Sequence, residues 1–590
     1  MGTRFRPSVV FFVVLVLLWG GAPAAGPGIG QAWAATSKIT LIHVGDTHSH
    51  LDPTGLKLDL GGDKTYVQAG GFSRLAALVK AERAKAGPEN VLLLHAGDAF
   101  QGTLYFTLYQ GQAEAELMNL MGFTAMVLGN HEFDQGPETL ARFVAAVRFP
   151  VLSANTDAAG EPSLKGAVAP YKVVEAGGRK VGLIGLTTPD TAFISTPGQG
   201  IKFTDPVGTA RSMVQELGDQ GVNIIIVLSH LGVEQDVNLV KTVEGLDVVV
   251  GGHSHTLLGD FGDIGLVPDG AYPILISGPR GEKVPVAHAW KWTQSAGIMD
   301  LEFDDRGRLV SFSGRPALML ADKFERKNEA GEKIGLAGEA AEAVREDIAA
   351  HPALRVEPDD PEVAAVLAKY RQGLEELEKK VVAKVSADVL HVRVPGETHE
   401  ESGRVLATGS QVAPLAAEAM LWKLKSLGLD VQAYLINAGD VRVDLPAGDL
   451  TVGRVYSLLP FGNTIYTLEL SGAEFKAALE NGLAAKGTGA FPYLAGARYE
   501  ADPARPAGAR LVRLEVKTKD GGFAPVDEKA VYTIGVNAFL AGGGDGYEVL
   551  AKAEGRRYDT GYVEAEVFLE YAAGRGTLEP PTETGVKVSP

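Results

Sequence analysis

The residues able to bind a metal ion are not spread evenly through the first half of this chain. Asp46 and His48 stand two apart, Asp98 follows a glycine, Asn130 adjoins His131, His230 stands alone, and His253 and His255 are again two apart. About four protein ligands saturate a tetrahedral zinc, and a catalytic ion keeps one position open. Asp46, His48, Asp98, Asn130, His230, His253 and His255 therefore suit two ions better than one, with a carboxylate free to bridge. The chain has no cysteine, which excludes thiolate metal sites, disulfides and a cysteine nucleophile. Mixed imidazole nitrogen and carboxylate oxygen fit Zn, Mn, Fe or Co and do not choose among them. Two adjacent divalent ions bind a phosphoryl oxygen, make water more acidic and offset charge during in-line attack, so no protein nucleophile is required.

The elements that must position these residues follow from hydrophobic pattern. Apolar runs at 39–44, 91–94, 125–128, 181–186, 224–228 and 248–250 alternate with amphipathic stretches such as 72–83 and 207–217, which predicts buried strands in an α/β domain. Each ligand group falls just after one of these runs. The crevice beyond the carboxyl ends of strands is where α/β sheets bind ligands, so the groups are expected to converge on one pocket. Residues 272–312 read as further strands. Between 322 and 384 the composition shifts to charge and alanine, and Val363, Val366, Tyr370, Leu374, Leu377 and Val381 recur at helical spacing, which predicts an interdomain helix. A second α/β segment follows to about 573, with strand-like runs at 433–436, 465–470, 511–516 and 531–536, and the final 15 residues read as unstructured.

At the N-terminus Arg4 and Arg6 precede an apolar run at 9–19 and the small-residue pattern Ala32-Trp33-Ala34. The run is too short to span a bilayer, so residues 1–34 read as a secretory signal, and a periplasmic or secreted protein with no membrane anchor after cleavage is expected. Without that segment 53 basic residues face 73 acidic ones. Such an excess argues against a nucleic-acid polymer or an anionic membrane as partner. The chain carries no phosphate-binding G-x-x-x-x-G-K-[ST] loop, no G-x-S-x-G elbow and no H-E-x-x-H pair.

The series Asp46-Thr47-His48, Gly97-Asp98, Gly129-Asn130-His131-Glu132, His230 and Gly252-His253-Ser254-His255 resembles the calcineurin-like dinuclear metallophosphoesterases. Together with the second half, the chain resembles the secreted 5'-nucleotidase and UDP-sugar hydrolase family over residues 38–575. The resemblance implies an α/β fold: a four-layer metallophosphoesterase domain with two packed β-sheets flanked by helices at 35–325, a linker with the interdomain helix at 326–384, a C-terminal α/β substrate-binding domain at 385–575 and a tail at 576–590. It implies that Asp46, His48, Asp98 and His255 hold one metal and Asp98, Asn130, His230 and His253 the other. His131 and Asp134 resemble the family's catalytic pair, in which the carboxylate orients the imidazole toward the phosphoryl group. His43, His50 and His95 match no ligand position and are assigned to packing or to outer hydrogen bonds.

In the second domain Asn437 opens the turn Asn437-Ala438-Gly439-Asp440-Val441-Arg442, which resembles the family's substrate turn and makes Arg442 an anion ligand. Phe461 and Phe539 match the two aromatic positions that sandwich a nucleobase, and Asp545 resembles the ribose-hydroxyl acceptor. Two departures stand out. Asp440 replaces a glycine, and Arg404 is the single arginine where the family places one or two more. The implied activity is hydrolysis of nucleoside 5'-monophosphates to nucleoside and phosphate with two divalent ions, and a small-molecule phosphate ester is the expected partner. A cyclic-nucleotide phosphodiesterase, a UDP-sugar hydrolase or a sulfur-ester hydrolase on the same scaffold are the alternatives, with a non-catalytic nucleoside-binding protein a further one.

Overall fold

The run at 39–44 becomes the strand Ser37–Val44, and its side chains divide between two cores. Ile39 and Leu41 face one, Ile42 and Val44 the other. Val91–His95 divides in the same way, and so do Ile224–His230 and Val248–Gly251, because successive residues of a strand point to opposite faces. Strands buried on both faces read as continuous apolar runs, which is why they were visible in the sequence. The computed structural model describes residues 36–195, 197–328, 333–399, 402–485 and 489–589. The expected signal segment at 1–34 lies outside the described residues.

A ten-stranded sheet contains Ser37–Val44, Val91–His95 and Ala125–Val127 side by side and parallel; a six-stranded sheet contains Arg179–Thr187, Ile224–His230 and Val248–Gly251, also parallel. Ile39, Leu92, Val127, Ile226 and Val250 meet in the core between the two sheets. Helices Phe72–Ala86, Gln112–Met121 and Pro137–Ala146 cover the outer face of the larger sheet, and Pro206–Asp219 and Val233–Thr242 that of the smaller. This is the expected four-layer arrangement.

The segment after residue 325 departs from a simple linker. Strand Leu309–Lys327 runs through the boundary and pairs with Leu354–Val356, while helix Glu339–Ala350 buries Ala341, Val344 and Ile348 against Leu58, Leu60 and Leu318 of the first domain. Helix Pro361–Glu378 is capped by the Asp360 side chain and places Val363 and Leu367 in the first domain's core. Val381, expected to extend its apolar stripe, instead starts the strand Val381–Val385.

The second domain is built on a five-stranded sheet in the order Pro492–Ala495, Ala433–Asn437, Val531–Asn537, Thr464–Ser471, Arg557–Val563. Helices Val412–Ser426, Gly472–Ala484 and Glu564–Arg575 share one core with it. The final residues are not without structure: Thr577–Leu578 pairs with Val381–Val385 and Val586–Val588 with Ala497–Ala501. Both short strands add to sheet edges far away in sequence, a pairing that local pattern cannot reveal.

Candidate metal centre and active site

The two sheets present the carboxyl ends of their parallel strands to a common crevice, and the ligand groups meet there. Oxygen and nitrogen atoms of Asp46, His48 and His255 lie within 4.8 Å of one another, as do those of Asp98, His230 and His253. Asp98 links the two groups: its Oδ2 is 2.9 Å from His230 Nε2 and 3.9 Å from His48 Nε2. Asn130 Oδ1 is 3.3 Å from His230 Nε2. All seven residues named from the sequence are therefore brought together.

The donor set fits divalent ions in its chemistry as well as its composition. His48 Nδ1 is bonded to the Phe100 carbonyl at 3.1 Å and His230 Nδ1 to the Ala96 carbonyl at 2.7 Å. Each ring thus engages the backbone through Nδ1 and turns Nε2 into the site, the orientation in which metal-binding histidines are held. Burial alone would raise the Asp98 carboxyl, yet His230, His131 and His48 around it hold it well below the ordinary carboxylate range.

The backbone is shaped for this purpose. Asp46, His48, Asp98, His253 and His255 all have φ between 45° and 77°, a left-handed conformation that costs non-glycine residues on the order of 1–3 kcal/mol each. The glycines before Asp98 and Asn130 provide room rather than flexibility alone. A Cβ on Gly129 would lie 2.1 Å from Asp98 Oδ1, and one on Gly97 would lie 2.6 Å from His230 Nδ1.

Glu132 is the residue whose importance sequence reasoning missed. Its Oε2 accepts from the Asp98 and Gly129 N–H groups at 2.9 and 2.7 Å, and its Oε1 from those of Ala99 and Phe100 at 2.7 and 3.2 Å. One buried carboxyl thus ties the loop carrying Asp98 to the loop carrying Asn130. Burial, helped by Asp98, pushes it up to about 7. Glu132 belonged to the quoted motif, but its partners are backbone amides, which residue type does not disclose.

His131 borders both clusters, its ring edge-on to His48 at 5.2 Å. Its Nδ1 is 2.6 Å from Asp134 Oδ2, and Asp134 Oδ1 accepts from Ser195 Oγ at 2.6 Å. Burial alone would lower the imidazole, but Asp134 first, then Asp98 and Glu132, outweigh it and push it up to about 10. The bland assignments for the other histidines agree with their surroundings. His95 Nε2 meets Thr47 Oγ1 at 3.0 Å, His50 stacks on Trp292 at 4.7 Å, and His43 bonds the Tyr272 hydroxyl at 2.7 Å.

In the second domain Asn437 donates to Asp545 Oδ2 at 3.0 Å and accepts from Asn537 at 3.3 Å, which joins the turn at 437–442 to the loop that carries Asp545. The Arg442 guanidinium lies 5.6 Å from the Phe461 ring. Phe461 and Phe539 are 48% and 46% exposed, which favours stacking surfaces over core packing for both. Asp440 does not face Arg442 as an ion pair. It is buried, accepts from Asn463 at 2.8 Å, and burial raises its carboxyl. Asp444 pairs with His399 at 2.9 Å, so among the described residues neither acid neutralises Arg442. Arg404 sits on an exposed turn held to His399 through its backbone, and no described contact joins it to Arg442.

Known proteins agree with this architecture. Residues 39–257 match the family model for calcineurin-like phosphoesterases, and residues 388–552 match that for the 5'-nucleotidase C-terminal domain. A probable 5'-nucleotidase of Treponema pallidum is 37% identical over 99% of both chains. The solved structure of Haemophilus influenzae NAD nucleotidase aligns with a TM-score of 0.80 at 33% identity, covering 94% of this chain and 99% of that one. A 5'-nucleotidase precursor from Thermus thermophilus is 41% identical, with 94% and 100% covered, yet its TM-score is 0.56. With both halves matched in order and relatives aligned from end to end, the chain belongs to the 5'-nucleotidase family of calcineurin-like metallophosphoesterases, the metal-dependent hydrolases of phosphate esters.

Proposed function

We propose that this chain is an exported 5'-nucleotidase that releases phosphate from nucleoside 5'-monophosphates. The observation that carries the reading is the meeting of two His/Asp clusters with an imidazole held by a carboxylate at their edge. Asp46, His48, Asp98 and His255 would hold one divalent ion, and Asp98, Asn130, His230 and His253 a second. When bound, such ions polarise a phosphoryl oxygen and make the attacking water more acidic. His131, kept protonated by Asp134, donates from Nε2 to a phosphoryl oxygen as charge builds there. Arg442 binds the anion, Phe461 and Phe539 stack on the base, and Asp545 accepts from a ribose hydroxyl. The signal-like segment at 1–34 supports export, and among the described residues no helix is long and apolar enough to cross a membrane.

The catalytic and the substrate residues lie on different domains, so turnover requires the domains to move. The contrast between relatives supports this: the more identical Thermus chain superposes less well than the Haemophilus one, as a different domain arrangement would produce. Helix Pro361–Glu378 is fastened to the first domain by Val363, Leu367 and the Arg371–Asp52 ion pair. The pivot is thereby confined to its end, after Glu378. The test is phosphate release from AMP by the mature protein loaded with Mn²⁺, compared with His131→Ala. Metal-dependent release that falls with the substitution supports the reading, and no release from AMP overturns it. The 34% identical NAD 5'-nucleotidase of Haemophilus influenzae makes NAD the second substrate to assay in parallel.

A further inference from the structure

An imidazole that turns one nitrogen inward needs a partner for the other, and His255 differs from His48 and His230 in where it finds one. His48 and His230 use carbonyls of their own domain. His255 directs Nε2 at His48 Nε2, 3.0 Å away, and at Asp46 Oδ1, 3.8 Å away, so Nε2 is its inward atom. Its Nδ1 is buried and makes no aligned hydrogen bond among the described residues, yet it lies 3.3 Å from Asp559 Oδ2 of the second domain.

Asp559 is held firmly where it can serve. It is at the root of a β-bulge in strand Arg557–Val563: Tyr466 pairs with Asp559 and Thr464 with Val563, so residues 560–562 stand opposite Ile465 alone. Asp559 Oδ1 accepts from the Gly561 N–H at 2.9 Å, and Oδ2 accepts from Thr464 Oγ1 at 3.0 Å. The bulge projects across the domain boundary. Gly561 has φ 70°, and a Cβ there would lie 1.8 Å from His131 Nε2, while the Tyr562 ring meets His131 edge-on at 5.8 Å.

Resting on the dinuclear reading, we propose that Asp559 is a positioning residue of the metal centre supplied by the second domain. Its carboxylate holds His255 with Nδ1 protonated and Nε2 turned to the Asp46–His48–His255 cluster, so docking of the bulge and retention of the ion there are coupled. The coupling is reciprocal: an ion in that cluster favours the docked bulge as much as the docked bulge favours the ion. The docked bulge also fills the space at His131 Nε2 that a phosphoryl group must enter. The arrangement that keeps the ion best is therefore a resting one, and substrate has to displace it.

The experiment follows ion release, not turnover. Wild type, Asp559→Asn, His255→Gln and the double variant are loaded with Mn²⁺ and mixed with excess chelator, and the protein-bound ion is measured against time. Loss of an outer partner typically weakens metal binding about 10–100-fold, so Asp559→Asn should release one ion faster by that factor. In the His255→Gln background, where the imidazole is gone, the same change should alter release by less than about twofold. Gly561→Ala keeps the carboxylate but forces the bulge off His131, and should accelerate release as Asp559→Asn does; it also guards against a fold defect peculiar to the asparagine. The proposal is overturned if Asp559→Asn releases ions as wild type does, or accelerates release equally with and without His255. A wild type that binds no ion overturns the dinuclear reading itself, and is told apart because no release is seen in any variant.

Discussion

The role proposed for His131 depends on one neighbour. With Asp134 at 2.6 Å its imidazole keeps a proton that burial would otherwise remove. His131→Ala is expected to lower kcat for AMP about 10²–10⁴-fold with a smaller change in KM, since the donor acts on charge that develops in the transition state. Steady-state phosphate release at saturating Mn²⁺ checks this, and an unchanged kcat would remove His131 from the chemistry. Phe461 and Phe539 are proposed for recognition instead. Alanine at either should raise KM for AMP about tenfold while leaving hydrolysis of ribose 5-phosphate unchanged, because stacking needs a base. Part of this was legible: the candidate ligands stand out by type and by their places after apolar runs, whereas the His131–Asp134 pair and the two phenylalanines were singled out only by resemblance to a family. Asp440 was not legible. It stands two residues before Arg442 in sequence, but the backbone turns it inward to Asn463, and the direction of a side chain is set by backbone the sequence does not display.

At the scale of elements the centre consists of loops at strand ends, and Glu132 joins two of them. Glu132→Gln replaces a carboxylate that accepts four N–H groups by an amide whose nitrogen cannot accept, leaving two buried donors without a partner. A drop of about tenfold or more in Mn²⁺ affinity is expected, read by titration of the metal-free protein. Strands buried on both faces could be read from apolar runs, whereas the left-handed ligands and the edge strands near the C-terminus could not, since both depend on residues remote in sequence. Asp247, between strands Ile224–His230 and Val248–Gly251, gives a prediction of a different sort. Its Oδ2 accepts from the Ile225 N–H at 2.8 Å, and burial pushes its carboxyl from 3.8 up to about 7. Between those values the folded chain holds a proton that the unfolded chain has lost, so this group makes stability fall as pH rises, with the loss complete above pH 7. Asp247→Asn keeps an acceptor and removes the titration. Its Tm should match wild type near pH 4 and exceed it by about 2 °C or more at pH 8; an equal difference at both pH values would contradict the assignment.

The whole molecule carries 73 acidic against 55 basic residues, and its substrates are anions. Long-range repulsion then opposes capture, and kcat/KM for AMP should rise about twofold or more as ionic strength goes from 10 to 150 mM. A clear fall over that range would show that local cationic charge dominates the approach. The domain arrangement is the level at which sequence informed least. Periodicity located the helix Pro361–Glu378, but its allegiance to the first domain rests on Val363 and Leu367 entering that core, and the reach of Asp559 to His255 spans the boundary. The scatter of the ligands along the chain bears on how the protein is made. Asp46 and His255 are far apart in sequence yet share one cluster. A stretch ending at Asp98 holds three of the four ligands proposed for one ion, but His255 and both histidines of the other set come later, so the two sets are not both complete until residue 255 has been made and the sheets have closed. With export as proposed, the compartment that supplies the metal is then the one in which the first domain finishes folding.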